Sequence, residues 1–419
     1  MKSTPWAMFR GNTRAMNAFI WASMINSIGQ ALMWPLTTIF VHQQLGRSLA
    51  DAGFAIMMQM LGSVLGQFVG GSLYYRMGVR KLLISSLAAA SLLKVSLVFT
   101  AYDSWSGYIL TLALIGLTSN MSLPAIQSFI GFRWPERRDE LFNSIYVANN
   151  IGVAVGTALS GVLADISFDL TFILNGASSA GFAVFFFFYL QKQEIEASTA
   201  AYTPPEKASK HAQPKHIPDT GAIPPLSTWD QLKNVRLYLF LSVGALLIWL
   251  ANSMWGSGVA PYLTDHGFEM KMYSWLWTIN GIFIFLGQPI TDWMKRSVAR
   301  PITSQLTWSG ILYTAAYGIV LIMPNYMGFV AAMLVATLGE MLVSPAVPAF
   351  LAARAGRQAP FYMGVAGGIS SIGRMIGPLI LGIAYDNGGL NEVVLVSIVI
   401  GGLSIISFML HSYLHKKGL

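Results

Sequence analysis

Cysteine is missing from all 419 residues, which excludes disulfides, thiolate metal ligation and a thiol nucleophile. Charge is scarce too. Asp, Glu, Lys and Arg together make up 11% of the chain, against about 25% in a typical soluble domain. With 54% hydrophobic residues, the composition excludes a water-soluble protein and implies one solvated by lipid. A Gly-x-x-x-x-Gly-Lys-Ser/Thr phosphate loop is lacking, and no metal cluster, catalytic triad or dinucleotide fingerprint stands in a context that supports chemistry. The expectation is a non-enzyme without metal or cofactor.

What the chain has instead is long apolar runs. A bilayer crossing needs about 20 such residues, and runs of that order recur twelve times: 14–40, 50–75, 82–101, 107–131, 141–165, 170–190, 237–263, 273–291, 302–323, 327–352, 361–385 and 392–414. The first run is read as a retained signal-anchor.

The positions of the cations explain the net charge of +8. With the N-terminus placed in the cytoplasm, 22 of the 26 Lys and Arg residues fall on that side. Arg47 and Lys271 fall outside, while Lys94 and Arg374 lie within spans. This is the positive-inside pattern of an even-spanning protein with both ends cytoplasmic in the cell membrane. The basic balance therefore does not imply nucleic acid.

The chain also repeats itself. Residues 152–165 and 373–386 align without a gap and share Gly152/Gly373, Gly156/Gly377, Gly161/Gly382 and Asp165/Asp386. The same offset of 221 carries Pro124 onto Pro345, Phe129 onto Phe350 and Gly66-Gln67 onto Gly287-Gln288. Between the copies lies a polar, proline-rich stretch that cannot bury a core. The organisation expected is a six-helix bundle over 1–191, a cytoplasmic linker over 192–235 and a second bundle over 236–419. Each bundle has an even number of spans, so the repeats enter the membrane in parallel. The fold class is an all-α membrane protein of twelve helices.

Specific motifs then carry a resemblance. Between spans two and three, Gly71, Leu73, Arg76, Gly78, Arg80 and Lys81 stand at the spacing of a loop signature of the major facilitator superfamily, Gly-x-Leu-Ala-Asp-Arg-x-Gly-Arg-Lys. Tyr75 occupies the place of the family's Asp, which the resemblance implies helps to lock the cytoplasmic side against the start of helix eleven. The matching loop of the second half keeps Asp292 and an Arg-x-x-x-Arg spacing at Arg296 and Arg300. Span five resembles the Gly-x-x-x-Gly-Pro motif of that superfamily's drug-proton antiporters, with Thr157 in place of Pro, and span eleven keeps Gly373, Gly377 and Pro378. Glycines four apart also let helices approach closely in any membrane bundle.

A charge near the bilayer centre costs roughly 2.5–3.5 kcal/mol on insertion scales, so each one calls for a partner or a function. Glu340 is the one acid deep inside a span, in Gly339-Glu340-x-x-x-Ser344-Pro345. This resembles a segment of helix ten in some proton-coupled multidrug exporters. The resemblance makes it the proton-coupling carboxyl; a lasting ion pair with Arg374 is the structural alternative. Arg374 itself is expected to gate rather than bind substrate, and Lys94 to snorkel. In the superfamily spans one, four, seven and ten line the central cavity, which implies Asn26, Gln30, Trp34, Asn120, Trp249, Asn252, Trp255 and Ser344 as its polar and aromatic surface. Aromatic faces suit hydrophobic ligands and organic cations.

The reading is a proton-coupled carrier that exports hydrophobic or cationic small molecules by alternating access as a monomer. Its alternatives are a carrier for an anionic solute or lipid, held by Arg374 and Lys94, and a receptor without transport. Topology is directly testable in a chain without cysteine. A cysteine at His266 should react with an impermeant reagent added outside intact cells and one at Ser209 should not; the reverse pattern would invert the orientation.

Overall fold

The computed structural model describes residues 12–33, 36–201 and 228–416. Trp34 and the central part of the expected linker lie outside the described residues. The described chain is helical throughout, in chain order α1 (Arg14–Ala31), α2 (Leu36–Ile39), α3 (Leu49–Asp103), α4 (Trp105–Arg133), α5 (Arg138–Ile166), α6 (Phe168–Ala201), α7 (Thr228–Leu232), α8 (Val235–Asn252), α9 (Ala260–Asp265), α10 (Met270–Leu286), α11 (Gln288–Arg296), α12 (Ile302–Ile322), α13 (Tyr326–Arg354) and α14 (Ala359–Lys416). No strand occurs among the described residues. This follows from the solvent, because lipid offers no partner to a backbone N–H and an α-helix satisfies its own.

Seven described segments are long and apolar enough to cross a membrane. Two of them, of 53 and 60 residues, are more than twice the span length of about 20. Each is broken by glycine. At Gly78 in α3 the backbone takes φ 73°, ψ 161°, and at Gly389 in α14 φ 63°, ψ −153°. Both lie where L side chains are strained and glycine is not, so each kinks its segment and divides it into two helices of span length. Starts are capped by short polar side chains. Ser48 accepts from Asp51 N–H, Ser104 from Gly107 N–H and Asn325 from Gly328 N–H. Leu92, Phe99, Ile322 and Leu379 are left exposed on the outer surface, the pattern of side chains facing lipid tails.

The loops at Gly78–Lys81, Arg133–Arg138, Lys295–Arg300 and Arg354–Arg357 define a basic end. There the two halves of the chain meet. Gly71 of α3 crosses Pro360 and Gly364 of α14 so closely that a Cβ on Gly71 would stand 2.7 Å from the Pro360 carbonyl oxygen, and one on Gly364 would overlap the Gln67 carbonyl. Gln67 donates to Ser371 Oγ at 2.7 Å, and Arg138 of α5 to the Ala352 carbonyl of α13 at 3.1 Å. At the opposite end Tyr102 bonds to Asp169 within the first half, and Tyr385 to Asp265 and Tyr262 to the Pro324 carbonyl within the second. The apolar core follows the same division. One cluster runs through both halves, joining Phe19, Phe129 and Phe186 to Tyr313, Phe350 and Tyr362. A separate one around Phe40, Tyr108 and Phe172 fills only the far end of the first half.

A side chain at the glycine crossing should therefore force the halves apart. Gly364→Val is expected to lengthen the distance between spin labels at Ser72 and Arg357 by several Å, with a packing cost of about 1–3 kcal/mol. An unchanged distance distribution would show that this crossing does not hold the basic end closed.

Candidate functional site

The breaks and crossings place the buried polar groups where the halves adjoin. Glu340, half-buried on α13, receives a hydrogen bond on Oε2 from Asn280 Nδ2 of α10 at 3.3 Å. Asn280 also donates to Thr337 Oγ1 at 2.9 Å, one turn before Glu340. From the first half, Tyr146 of α5 brings its buried hydroxyl beside the same carboxyl without a hydrogen bond of full geometry. Around them Val147, Ile284 and Met341 form a small apolar cluster that joins α5, α10 and α13. The carboxyl is thus held by neutral groups from both halves of the chain.

Arg374 takes no direct part in that arrangement. It acts on Glu340 through its field, but no ion pair links the two. Its guanidinium lies instead over the Trp249 ring of α8, 3.7 Å from the centroid. Its side chain is exposed to solvent and lies within electrostatic reach of Glu340 on α13. The space the two share is the candidate cleft.

The other candidates divide. Gly152 and Gly156 of α5 face α1, where a Cβ would meet the Met24 and Ile28 carbonyls, and Gly373 and Gly377 of α14 face α8 at Leu246, Leu250 and Ser253. Gly161 continues α5, and Pro378 lies inside α14 with its carbonyl accepting from Ser257 at 3.4 Å. Gln30 is exposed, Asn252 and Ser344 are half-buried, and Asn26 is buried with its Oδ1 unpartnered. Asn120 ties α4 to α3 through Ser63 Oγ at 3.0 Å. Trp255 departs from expectation: it is 1% exposed, sits in the core that runs through both halves, and lines no accessible surface. The reason is local, because α8 ends at Asn252 and the break at Ser253 separates Trp255, which opens a π-helical turn, from the regular helix whose spacing assigns its face. Lys94 does not snorkel. It is 3% exposed and donates to Ser179 Oγ of α6 at 2.8 Å, between two helices.

The gate residues gather at the basic end. Tyr75 donates to the Arg357 carbonyl at 3.0 Å, just ahead of α14. From the second half, Lys295 donates to Asn143 Oδ1 near the start of α5 at 3.2 Å, and Asn143 donates to Gln288 at 2.8 Å. Burial against α5 pulls the Lys295 ammonium below the ordinary lysine range, opposed by Asp292 and Asp139. Asp292 also faces Arg296 at 3.7 Å, and Arg80 lies over Phe187 at 5.2 Å. Arg76 projects into solvent beside Gly78. Sequence reasoning missed Tyr146, Asn280, Asn143 and Gln67, although Gln67 and Gln288 stand at equivalent places in the repeat.

Apolar helices that enclose a buried carboxyl and a cleft-facing arginine, closed at one end by contacts between the halves, describe a membrane transporter. The chain belongs to the Major Facilitator Superfamily, whose pattern matches residues 19–359. It is 34% identical over 404 residues to the uncharacterised transporter YttB of Bacillus subtilis (strain 168), covering 95% of each chain. It is 21% identical over 408 residues to YqjV of the same organism, covering 95% of this chain and 93% of the other. With the quinolone resistance protein NorA of Staphylococcus aureus (strain MSSA476) the identity is 23% over 367 residues, 86% of this chain and 87% of the relative. The family membership makes it a membrane transporter.

The Tyr75 bond yields a prediction about the gate. Tyr75→Phe removes one hydrogen bond, about 0.5–1.5 kcal/mol, and should raise the population with an open basic end. Tyr75→Asp cannot donate to the Arg357 carbonyl, but it places an anion beside the first turn of α14, where negative charge is stabilised, and should lower that population. Spin labels on the basic ends of α3 and α14 report both; equal populations in the two variants would count against the assignment.

Proposed function

We propose that this protein is a proton-coupled exporter of hydrophobic or cationic small molecules, with Glu340 as the coupling carboxyl. The observation that carries the reading is the environment of Glu340: neutral hydrogen-bonding groups from both halves and no cation in ion-pair contact. An acid locked to Arg374 would stay charged throughout a cycle. One beside an amide and a phenol can exist in either state, because a carboxyl group accepts from Asn280 when charged and donates when protonated.

The coupling follows from where the groups sit. Tyr146 belongs to the first half and Glu340 to the second, so parting the halves at the basic end withdraws the phenol and its apolar cluster from the carboxyl. The acid is then open to water from that side. Proton binding and the position of the halves thereby favour or oppose one another, which is the linkage that alternating access requires.

The remaining architecture is read the same way. Halving the two overlong helices at Gly78 and Gly389 supports twelve spans, and the bonds that Gln67 and Gln288, equivalent in the repeat, each make to the other half support two parallel repeats. The gathered cations support a cytoplasmic basic end in the cell membrane, with the protein acting as a monomer. The similarity to NorA supports export of drug-like compounds.

Reconstituted into vesicles with an imposed pH gradient, the protein should move a panel of cationic and neutral dyes. Glu340→Gln should abolish the gradient-driven part. Because the glutamine can still pair with Asn280, stability should change by no more than about 1 kcal/mol, against about 3–5 kcal/mol for a broken buried ion pair. Normal pumping by Glu340→Gln would end the coupling assignment.

A further inference from the structure

Arg374 presents an arrangement that gating alone does not use. Gly373 and Gly377, on either side of it, bring the α14 backbone against that of α8; a Cβ at Gly373 would overlap the Leu246 carbonyl, and one at Gly377 the Ser253 side chain. These contacts fix where the arginine emerges, so its stacking on Trp249 at 3.7 Å is imposed by the backbone. The indole covers one face of the guanidinium. The edge that carries its N–H groups receives nothing: among the described residues no carboxylate lies in ion-pair contact with it, and no acceptor takes a hydrogen bond from it.

A guanidinium has five donors in a planar fork that fits a carboxylate bidentately. Its exposed side chain is open to solvent and to solutes, so an anionic solute can fill the fork. An acid bound in the plane of the fork carries its substituent past the edge of the Trp249 ring, and a flat aromatic substituent gains most from an offset contact with an indole.

We propose that Arg374 and Trp249 form a subsite for aromatic carboxylates, with the carboxylate on the free edge of the guanidinium and the ring beside the indole. The proposal rests on reading this cleft as the transport pathway and adds an anionic class to the hydrophobic cargo. Lys94 has no part in it, being enclosed between α3 and α6.

Glu340 sets the sign of coupling for such cargo. Its charge reaches Arg374, so a charged Glu340 competes with the bound acid for the same guanidinium and a protonated one does not. Proton and aryl acid therefore bind together, whereas a cation displaces the proton. The two cargo classes are separable by whether binding takes up or releases protons.

The test is titration calorimetry on the purified full-length protein with naphthoate, its neutral isostere naphthamide, and naphthylmethylammonium. Naphthoate should bind about ten-fold or more tighter than naphthamide, the scale of one charge-assisted bidentate contact. Arg374→Gln should erase that preference, Arg374→Lys should lose most of it for want of the fork, and Glu340→Gln should strengthen naphthoate binding several-fold. Trp249→Leu should weaken the acid and the amide alike. Equal affinity of the wild type for acid and amide, no naphthoate binding, or an undiminished preference in Arg374→Lys would each overturn the subsite; the last keeps the test open if Arg374→Gln does not fold. Dye pumping by Glu340→Gln decides the coupling reading separately, since it does not bear on the ratio of naphthoate to naphthamide.

Discussion

The close crossing of α3 over α14 at Gly71 and Gly364 is the constraint on which the rest of this structure depends. Two helix backbones come within a side chain's thickness there, which is possible only because neither position carries a Cβ. With the backbones in contact, Gln67 reaches Ser371 and Tyr75 reaches the Arg357 carbonyl. The same closure presses α5 toward α10 and α13, which puts Tyr146 beside Glu340. A contact between glycines thus fixes the surroundings of a carboxyl one span away. Packing of this kind is bistable, because a crossing this tight does not stretch gradually.

The contacts echo the repeat, but the charges do not. Gln67 and Gln288 occupy matched places, and each bonds across to the other half. Tyr75 and Lys295 likewise each hold the start of a helix in the opposite half, one through a phenol and one through an ammonium. Glu340 and Arg374 have no charged counterparts in the first half: the offset of 221 lands on Ser119 and Val153. The sequence repeat therefore accounts for the equivalent glutamines, and the charges at Glu340 and Arg374 are departures from it.

The parts of this arrangement legible in sequence are those encoded by composition and spacing. The apolar runs, the glycine at the kink near Arg80 and the lone acid of α13 can each be recognised in a short window of residues. Asn280 and Tyr146 could not be recognised that way. Each is an ordinary polar residue in an apolar run, and what singles it out is its neighbour Glu340, 60 or 194 positions along the chain. Trp255 went astray for a different reason. A face assignment at regular helical spacing fails across the break at Ser253, and the sequence Trp-Gly-Ser-Gly-Val just beyond it carries no marker that distinguishes its π-helical turn from a regular helix.

Lys94 shows how far the cost of burying a charge reaches as an argument. Sequence reasoning gives an intramembrane lysine two ways out, the interface or a substrate. It takes neither, and donates to Ser179 while Ser91 of the same helix donates to the Gly176 carbonyl. These two bonds, three residues apart on α3 and on α6, pin one helix to the other. Lys94 thus belongs to the packing of the first half, apart from the arrangement around Glu340 and Arg374.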